Sequence, residues 1–409
     1  MSGIVRTARE ALRAILCVAV GIVVLLPAAV RPAAAQFTTV AEQAILVDQT
    51  TGTVLFSKNA DELMVPASMA KIMTAEVIAE EMRQGRLDLD DAFVVSENAW
   101  RTGGAPSGGS TMFAEIGSTI GLRDLLWGII VHSGNDASIA AAEGIAGSEQ
   151  GFARMMTRHA RELGLTRSEW RNATGYHDPE QVTTARELAL LTLHLIETAP
   201  EIYAIFGQES FTWNGITQRN RNPLLEMSIG ADGVKTGFLS QSGYGLVGSA
   251  VQDGQRLVVV VNGLETAAAR SNEARKLLEW GFRAFDRRRL FEAGETIGEA
   301  QVFGGATPYV ALASPRPVEI LTPRGSDQRL SARIVYDGPL MPPVGAGVRV
   351  GVLRVLRGDE IALETPLETA QSVERGPVSR RAFDGLWELG AGAIRRAIFG
   401  DPADAPDAS

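Results

Sequence analysis

The sequence predicts an α/β (α+β) domain, with helices flanking a sheet, followed by a small all-β domain and a C-terminal amphipathic helix. Two observations support this division: strand patterns enclose a helical region between residues 40 and 289, and short β-rich runs follow from residue 290. The length of 409 residues suits two or three domains, and 45% hydrophobic with 21% charged residues is ordinary globular composition. Because strands stand at both ends of the helical region, we expect the terminal strands to be neighbours in one sheet.

The first 35 residues have the layout of an export signal and are not expected to join the fold. Three arginines precede an apolar stretch at residues 14–30, and alanines at 33–35 offer a small-residue cleavage site. A membrane-spanning anchor is the alternative, because the apolar stretch is near the lower length limit for a span. The single cysteine, Cys17, lies inside this segment, so a disulfide framework is excluded.

The first domain, assigned to residues 36–288, combines strands at its ends with helices between them. Apolar and β-branched runs predict strands at residues 44–47, 54–56, 244–251 and 256–262. The helical period predicts helices at residues 67–84, 122–131, 136–145, 150–163, 184–197 and 267–285. Turn residues between the paired strands, including Asp253-Gly254, indicate hairpins.

The second domain, assigned to residues 289–376, has a different texture. Eight of the 18 prolines lie between Pro308 and Pro366. Short β-rich runs recur at residues 309–312, 318–321, 330–336, 348–356 and 360–363. Short strands separated by proline and glycine turns are typical of a small all-β domain.

Residues 377–400 are predicted to form an amphipathic helix that anchors the protein at a membrane surface. The large apolar side chains form one stripe: Phe383, Trp387, Ile394 and Ile398. Arginines bracket the stripe, and the segment is too short and too charged to cross a bilayer, so it suits the interface. A helix docked on the protein is the alternative. The small-residue, acidic tail at 401–409 is expected to be disordered.

Charge and histidine content exclude two function classes. The net charge is −9, whereas nucleic-acid-binding proteins usually carry an excess of positive charge that contacts the phosphates. The four histidines show no ligand-like spacing, so neither a zinc hydrolase nor any metal or cofactor is predicted.

The first candidate for catalysis is a serine and a lysine three residues apart, Ser68 and Lys71, in the predicted helix 67–84. Residues at this spacing share a helix face. A serine hydroxyl is a weak nucleophile that needs a base, and a shielded lysine can be neutral and accept its proton. Only four lysines occur in the chain, so a chance pairing is uncommon. The alternative is a helix-capping serine beside a solvated lysine.

A second motif, Ser133-Gly134-Asn135, falls between two predicted helices. A loop in this position can aim short polar side chains into a cleft. Alone the motif is a weak signal, because the same residue types suit a helix cap or a turn.

A third motif, Lys235-Thr236-Gly237, comes just before the predicted strand 244–251. A cation and a hydroxyl at a strand edge can hold a carboxylate, and the glycine lets a ligand approach the backbone closely. The alternative is simply a polar start to a strand.

In this order and spacing, the motifs match the SxxK, SxN and KTG set of the penicillin-recognising serine enzymes. The sequence resembles the D-alanyl-D-alanine carboxypeptidases, the low-molecular-mass penicillin-binding proteins, over about residues 40–285. Other stretches also resemble the family: residues 44–48, 172–175, 184–188 and 220–222. The resemblance implies a β-lactamase/transpeptidase-like fold for the first domain and a location on the periplasmic face of the inner membrane.

The resemblance also implies the chemistry. Ser68 would be acylated by the penultimate D-alanine of a peptidoglycan stem peptide ending in D-Ala-D-Ala, and β-lactams would be covalent inhibitors. Lys71 would be the base and Ser133 the proton relay to the leaving amine. The residues implied to bind or orient substrate are Asn135, Arg221, Lys235, Thr236, Gly237 and Phe238. The backbone N–H groups of Ser68 and Phe238 would form the oxyanion hole, although the side chain of Phe238 departs from the polar residue expected there.

Other readings of the motifs stay open from the sequence. A β-lactamase needs a carboxylate base, and Glu169 lies near the expected place, but its spacing differs and about 170 residues follow the third motif. A murein DD-endopeptidase uses the same residues on crosslinked peptides. An inactive scaffold that binds the cell wall is the non-enzyme alternative. A Ser-His-Asp hydrolase is disfavoured because the chain has no GxSxG motif.

Overall fold

The computed structural model describes residues 37–325 and 329–377. Strands of the first domain are β1 Gln43–Asp48, β2 Val54–Lys58, β3 Ala92–Val94, β4 Thr119–Gly121, β5 Ser210–Trp213, β6 Ile216–Arg219, β7 Ala231–Leu239, β8 Gly243–Gln252 and β9 Gln255–Leu264. Five of them form an antiparallel sheet in the order β2-β1-β9-β8-β7, and β3-β4 and β5-β6 are separate hairpins. The prediction that the terminal strands are neighbours is confirmed, because β1 pairs with β9.

Helices cover both faces of the five-stranded sheet. They are α1 Lys71–Arg83, α2 Leu122–Ile130, α3 Asn135–Ala146, α4 Glu149–Glu162, α5 Ala185–Thr198, α6 Pro200–Phe206 and α7 Ala267–Ala284. Successive side chains of a strand point to opposite faces. Accordingly, Ile45 and Val47 pack in the core with the helices of the middle region, whereas Ala44 and Leu46 pack in the core with α7.

Two elements near the motifs differ from the prediction. The predicted helix 67–84 begins as a 3-10 turn at Ala67–Ala70, and the α-helix starts only at Lys71. Ala67 has a φ of 48°, which an α-helix does not accommodate. Strand β7 was not predicted, because Gly233 and Gly237 give it low strand propensity. The third motif therefore lies inside a strand of its own rather than before one.

The second domain is all-β, as predicted. Its strands are β10 Phe285–Phe291, β11 Thr296–Gln301, β12 Tyr309–Ala313, β13 Val318–Pro323, β14 Leu330–Tyr336, β15 Arg349–Arg357 and β16 Glu360–Thr369. Five form a sheet in the order β11-β12-β16-β15-β14, and β10 pairs with β13. The domain boundary predicted at residue 288 falls inside β10. The two domains touch where the backbone N–H of Leu321 donates to Thr53 Oγ1, at 3.1 Å.

Three sequence predictions fall outside the described residues. They are the export signal at 1–35, the amphipathic helix at 377–400 beyond its first residue, and the tail at 401–409. Within the described ranges, every helix is too short or too polar to span a bilayer.

Candidate active site

Ser68 lies in the 3-10 turn that precedes α1, and a neighbouring loop packs closely against this turn. Gly175 packs directly against it: a Cβ at this position would lie 1.9 Å from the carbonyl oxygen of Ala67. Gly175 also has a φ of 83°, so both the close approach and the backbone conformation require glycine. The turn is thereby held in a defined place at the start of α1.

Lys71, the first residue of α1, is fully buried and aimed at Ser68. Its Nζ atom lies 3.3 Å from Ser68 Oγ and 2.8 Å from Asn135 Oδ1, and it also donates to the carbonyl oxygen of Thr174. Burial, with the charge of Arg221 adding to it, lowers the pKa of Lys71 to about 7. A large fraction of Lys71 is therefore neutral at neutral pH and can accept a proton from Ser68.

The second motif places Ser133 in the lining of the cleft that contains Ser68, and Asn135 beside Lys71. Ser133 is buried with a φ of 58°, which turns the chain sharply before α3 begins at Asn135. Asn135 accepts from Lys71 and donates through Nδ2 to Tyr176 Oη at 3.0 Å. Asn135 therefore connects Lys71 to the neighbouring loop that carries Tyr176.

A buried carboxylate next to this motif fixes the facing loop. Asp136 accepts hydrogen bonds from the backbone N–H groups of Met112 and Ala114, both at 3.0 Å, and from the hydroxyl of Thr111. Buried charges are stable only when they are satisfied in this way. The loop that carries Ser110 to the cleft is thereby attached to the start of α3.

His132, directly before the second motif, was not predicted to take part. Gln218 Nε2 donates to His132 Nδ1 at 3.2 Å, and His132 Nε2 lies 2.8 Å from the carbonyl oxygen of Phe211. Burial lowers the pKa of His132, which suits a neutral ring that accepts at Nδ1 and donates at Nε2. Arg221 Nε donates to the His132 carbonyl oxygen at 3.1 Å. His132 thus positions Arg221 through its backbone.

The third motif runs along β7, the edge strand nearest Ser68. Lys235 and Thr236 are buried, and a Cβ at Gly237 would lie 2.9 Å from the carbonyl oxygen of Pro66. Only glycine lets this strand pass so close to the turn that carries Ser68. Burial, together with the charge of Lys71, holds the pKa of Lys235 well below its usual value. An anionic ligand beside Lys235 would therefore be strongly favoured.

These elements enclose a cleft of about 330 Å³. Its lining includes six predicted residues, Ser68, Ser133, Arg221, Thr236, Gly237 and Phe238, and three that were not predicted, Ser110, Tyr244 and Arg270. Lys71, Asn135 and Lys235 do not line the cleft and are buried. The structure thus brings the three motifs, distant in sequence, to one site.

An aromatic pair stands at the mouth of the cleft. Phe238 is 51% exposed, and its ring stacks on Tyr244 with centroids 4.2 Å apart. The guanidinium of Arg270 lies 5.6 Å from the centroid of the Tyr244 ring. No sequence signal pointed to Tyr244 at this site. Tyr244 reaches Phe238 because the register of β7 and β8 places the two residues opposite each other.

Glu169, weighed as a base for a β-lactamase, does not line the cleft. It forms salt bridges with Arg161 at 2.9 Å and with Arg171 at 2.6 Å. Its place in the fold gives no support to a role in deacylation.

Two family models match the chain. The model of D-alanyl-D-alanine carboxypeptidases, peptidase family S11, matches residues 29–266. The model of the penicillin-binding protein 5 C-terminal domain matches residues 285–375. Among curated proteins, the chain is 38% identical to the D-alanyl-D-alanine carboxypeptidase DacC of Escherichia coli, covering 83% of this chain and 86% of that protein. It is 36% identical to DacA of Haemophilus influenzae, covering 85% and 88%.

Solved structures agree with these matches. Penicillin-binding protein 5 from Haemophilus influenzae superposes with a TM-score of 0.68 at 34% identity, covering 83% of this chain and 99% of that one. Penicillin-binding protein D2 from Listeria monocytogenes, in its ampicillin-bound form, gives 0.52 at 28% identity, covering 60% and 99%. The two family models together cover both domains of the chain. The chain therefore belongs to the D-alanyl-D-alanine carboxypeptidase family of serine peptidases, the low-molecular-mass penicillin-binding proteins.

Proposed function

We propose that this protein removes the terminal D-alanine from peptidoglycan stem peptides through an acyl-enzyme on Ser68. The observation that carries the proposal is the contact between the Ser68 hydroxyl and a buried Lys71 whose pKa is lowered to about 7. The arrangement supplies a nucleophile and a base of matched pKa in one cleft.

In the acylation step, Ser68 Oγ attacks the carbonyl carbon of the penultimate D-alanine while neutral Lys71 takes the hydroxyl proton. The bond to the terminal D-alanine breaks, and Ser133 passes a proton to the amine that leaves. The backbone N–H groups of Ser68 and Phe238 would stabilise the oxyanion, a contribution of about 3–4 kcal/mol per donor. Water then hydrolyses the ester and frees the shortened peptide.

Recognition of the substrate's free carboxylate follows from the positive charge around the cleft. Arg221 lines the cleft, and Lys235 is buried next to Thr236 on β7. A carboxylate bound here would be held by charge-assisted hydrogen bonds.

Mass spectrometry tests the proposed acyl-enzyme. After incubation with benzylpenicillin, the peptide carrying Ser68 is expected to gain the mass of the drug, and a peptide ending in D-Ala-D-Ala is expected to lose one alanine. The S68A variant should do neither, whereas S240A, a control at an exposed position, should do both. A stable adduct on another residue, or alanine release by S68A, would contradict the proposal.

The proposal extends to location: export through residues 1–35 and attachment to the periplasmic face of the inner membrane through residues 377–400. The apolar stripe that includes Phe383 and Trp387 would enter the acyl boundary, and the flanking arginines would meet anionic head groups. Because the net charge of −9 opposes binding to an anionic surface, attachment has to come from this segment.

Truncation before Ser379 tests the anchor. The truncated protein should leave the membrane fraction and still cleave a small D-Ala-D-Ala peptide, since all three motifs lie upstream. Deletion of residues 401–409 alone is the matched control and should leave membrane binding intact. Membrane binding by the form truncated before Ser379 would show that the segment is a docked helix instead.

A further inference from the structure

Three side chains of the types that bind metal ions, one from each of three helices, lie together outside the cleft that contains Ser68. Glu76 comes from α1, His159 from α4 and His194 from α5, and one ligand atom from each lies within 4.8 Å of the others. None of the three lines the cleft that contains Ser68. The three residues are far apart in the sequence, so the cluster cannot be recognised there; only the packing of the helices brings the residues together.

The two distances from Glu76 to the histidines are close to those between neighbouring ligands of a tetrahedral zinc site. Glu76 Oε1 lies 3.1 Å from His159 Nε2 and 3.3 Å from His194 Nε2. Zinc binds histidine nitrogen and carboxylate oxygen at about 2.0–2.1 Å, which places neighbouring tetrahedral ligands about 3.3–3.4 Å apart. Small side-chain rotations would bring both histidine nitrogens and the carboxylate oxygen into the first coordination sphere.

Hydrogen bonds within the described chain leave part of the cluster unsatisfied. The Glu76 side chain is fully buried, and its Oε2 atom has no hydrogen-bond partner among the described residues. The same holds for the buried Nε2 atom of His194, which faces Glu76. A buried polar atom without a partner is costly. Coordination by His194 Nε2 would remove that cost at the histidine, and the positive charge of the ion would offset it at Glu76 Oε2.

His159 is oriented for coordination by a second carboxylate. Its Nδ1 atom lies 3.1 Å from Glu162 Oε2 and its Nε2 atom 3.1 Å from Glu76 Oε1. With Nδ1–H donated to Glu162, loss of the Nε2 proton would free Nε2 to bind a cation beside Glu76. Metal-bound histidines commonly donate their other ring N–H to a carboxylate in this way. A cavity of about 170 Å³ reaches His159, and the His194 side chain is 30% exposed. The exposed part of the His194 side chain gives an ion a path to the cluster.

Arg83 is the competing cation at this site. Its Nη2 atom lies 2.8 Å from Glu76 Oε1, but its Nε atom also donates to Glu80 Oε2 at 2.9 Å. The side chain is 29% exposed and can move toward Glu80 when a metal ion takes its place. Arg83 alone leaves Oε2 of Glu76 and Nε2 of His194 without hydrogen bonds.

We propose that Glu76, His159 and His194 bind one zinc ion, with a water molecule as the fourth ligand. Two imidazoles and one carboxylate suit zinc better than calcium or magnesium, which prefer oxygen ligands. The ion connects α1 to α4 and α5. Because Lys71 begins α1 only five residues before Glu76, about 7.5 Å along the helix axis, the ion stabilises the helix that presents the catalytic base. It takes no part in the acylation itself.

Zinc binding by the purified, tag-free protein tests this site. After dialysis against a chelator, the protein should bind one equivalent of zinc, and its unfolding midpoint should rise by roughly 5–10 °C at a zinc concentration 100 times the dissociation constant. H194A should bind zinc at least about 100-fold more weakly. Removing a residue that only supports a ligand already costs about 10–100-fold in metal affinity, and loss of a ligand itself should cost at least as much. H177A, at an exposed histidine outside the cluster, is the matched control and should behave as the unchanged protein. Equal zinc binding by H194A, or none by the unchanged protein, would overturn the proposal.

Cobalt substitution keeps the test decisive if H194A does not fold. Cobalt(II) added to the unchanged protein should give the intense visible absorption of a tetrahedral ion, and one equivalent of zinc should abolish it. H159Q, which keeps a polar side chain of similar length, should lose this absorption while still being labelled by penicillin at Ser68. If cobalt(II) bound to the unchanged protein gave only the weak absorption of an octahedral ion, the proposed tetrahedral site would be overturned.

Discussion

Lys71 Nζ lies closer to Asn135 Oδ1, at 2.8 Å, than to the hydroxyl of Ser68, at 3.3 Å. The amide oxygen therefore holds the base in place without adding a full negative charge beside it. A carboxylate at the same position would favour the charged form of Lys71 and would change its availability as a base.

We expect N135D to slow acylation at neutral pH by about tenfold or more, because a carboxylate at hydrogen-bond distance raises a lysine pKa by about 1–3 units. The rate should recover as the pH rises. The measurement is the rate of penicillin acylation across pH, with N272D, an exposed substitution on α7, as control. An unchanged pH profile would show that Lys71 is not the titrating base.

The unchanged protein should itself acylate faster as pH rises through about 7. Burial and Arg221 lower the pKa of Lys71 to about 7, while Asp136 and Glu149 act in the opposite direction. The neutral form is the base, so below that pH the rate should fall about tenfold per unit. Stopped-flow acylation by a chromogenic β-lactam measures this; a rate that is flat between pH 5 and 8 contradicts the assignment.

K71R should reduce acylation by more than tenfold, a barrier increase above about 1.4 kcal/mol. A guanidinium keeps the charge but stays protonated, so it cannot take the proton of Ser68. K276R is the control, since Lys276 is 55% exposed and pairs with Glu273 on the surface of α7. Retention of more than about a tenth of the rate in K71R would show that Lys71 acts only through its charge.

G237A should impair both stability and acylation. Its Cβ would lie 2.9 Å from the carbonyl oxygen of Pro66, so β7 or the Ser68 turn has to shift, at a cost of about 1–3 kcal/mol. G121A is the matched control, because its nearest neighbour would be 4.0 Å away. Thermal unfolding and penicillin labelling are the measurements, and an unaffected G237A would argue against close packing of β7 on the turn.

R221Q should weaken recognition of the free carboxylate. We expect KM for a D-Ala-D-Ala peptide to rise about tenfold or more, about 1.4 kcal/mol. Two thioester substrates, whose leaving groups carry or lack a carboxylate, separate this effect from general damage. R219Q, at a 74% exposed arginine, is the control. An equal loss on both thioesters would remove Arg221 from carboxylate binding.

The sequence was sufficient to predict the elements with clear periodicity. Strands β1, β2, β8 and β9 and the pairing of β1 with β9 followed from apolar runs and turn signals. Strand β7 was missed because its glycines, polar residues and buried lysine have low strand propensity; these residues serve the site instead. Strand β10 was missed because its central arginines are exposed at the edge of a two-stranded pairing.

The three motifs could be found in the sequence because the residues of each lie close together and their order is specific. His132, Tyr244 and Arg270 reach the site only through tertiary contacts, and none belongs to a motif. Glu76, His159 and His194 also come together only through tertiary contacts, since histidine spacing along the chain contains no trace of a cluster formed between helices.

Ala67 and Ser133 both hold a left-handed φ, 48° and 58°, and one precedes the nucleophile while the other carries the second hydroxyl of the cleft. Each such residue costs about 1–3 kcal/mol relative to relaxed backbone. Glycine at either position would relieve the strain, so selection for thermal stability alone would tend to replace them. At position 133 this replacement would also remove the hydroxyl that we propose as the proton relay. A directed-evolution library scored only by heat resistance should therefore accumulate stable proteins that no longer hydrolyse their substrate.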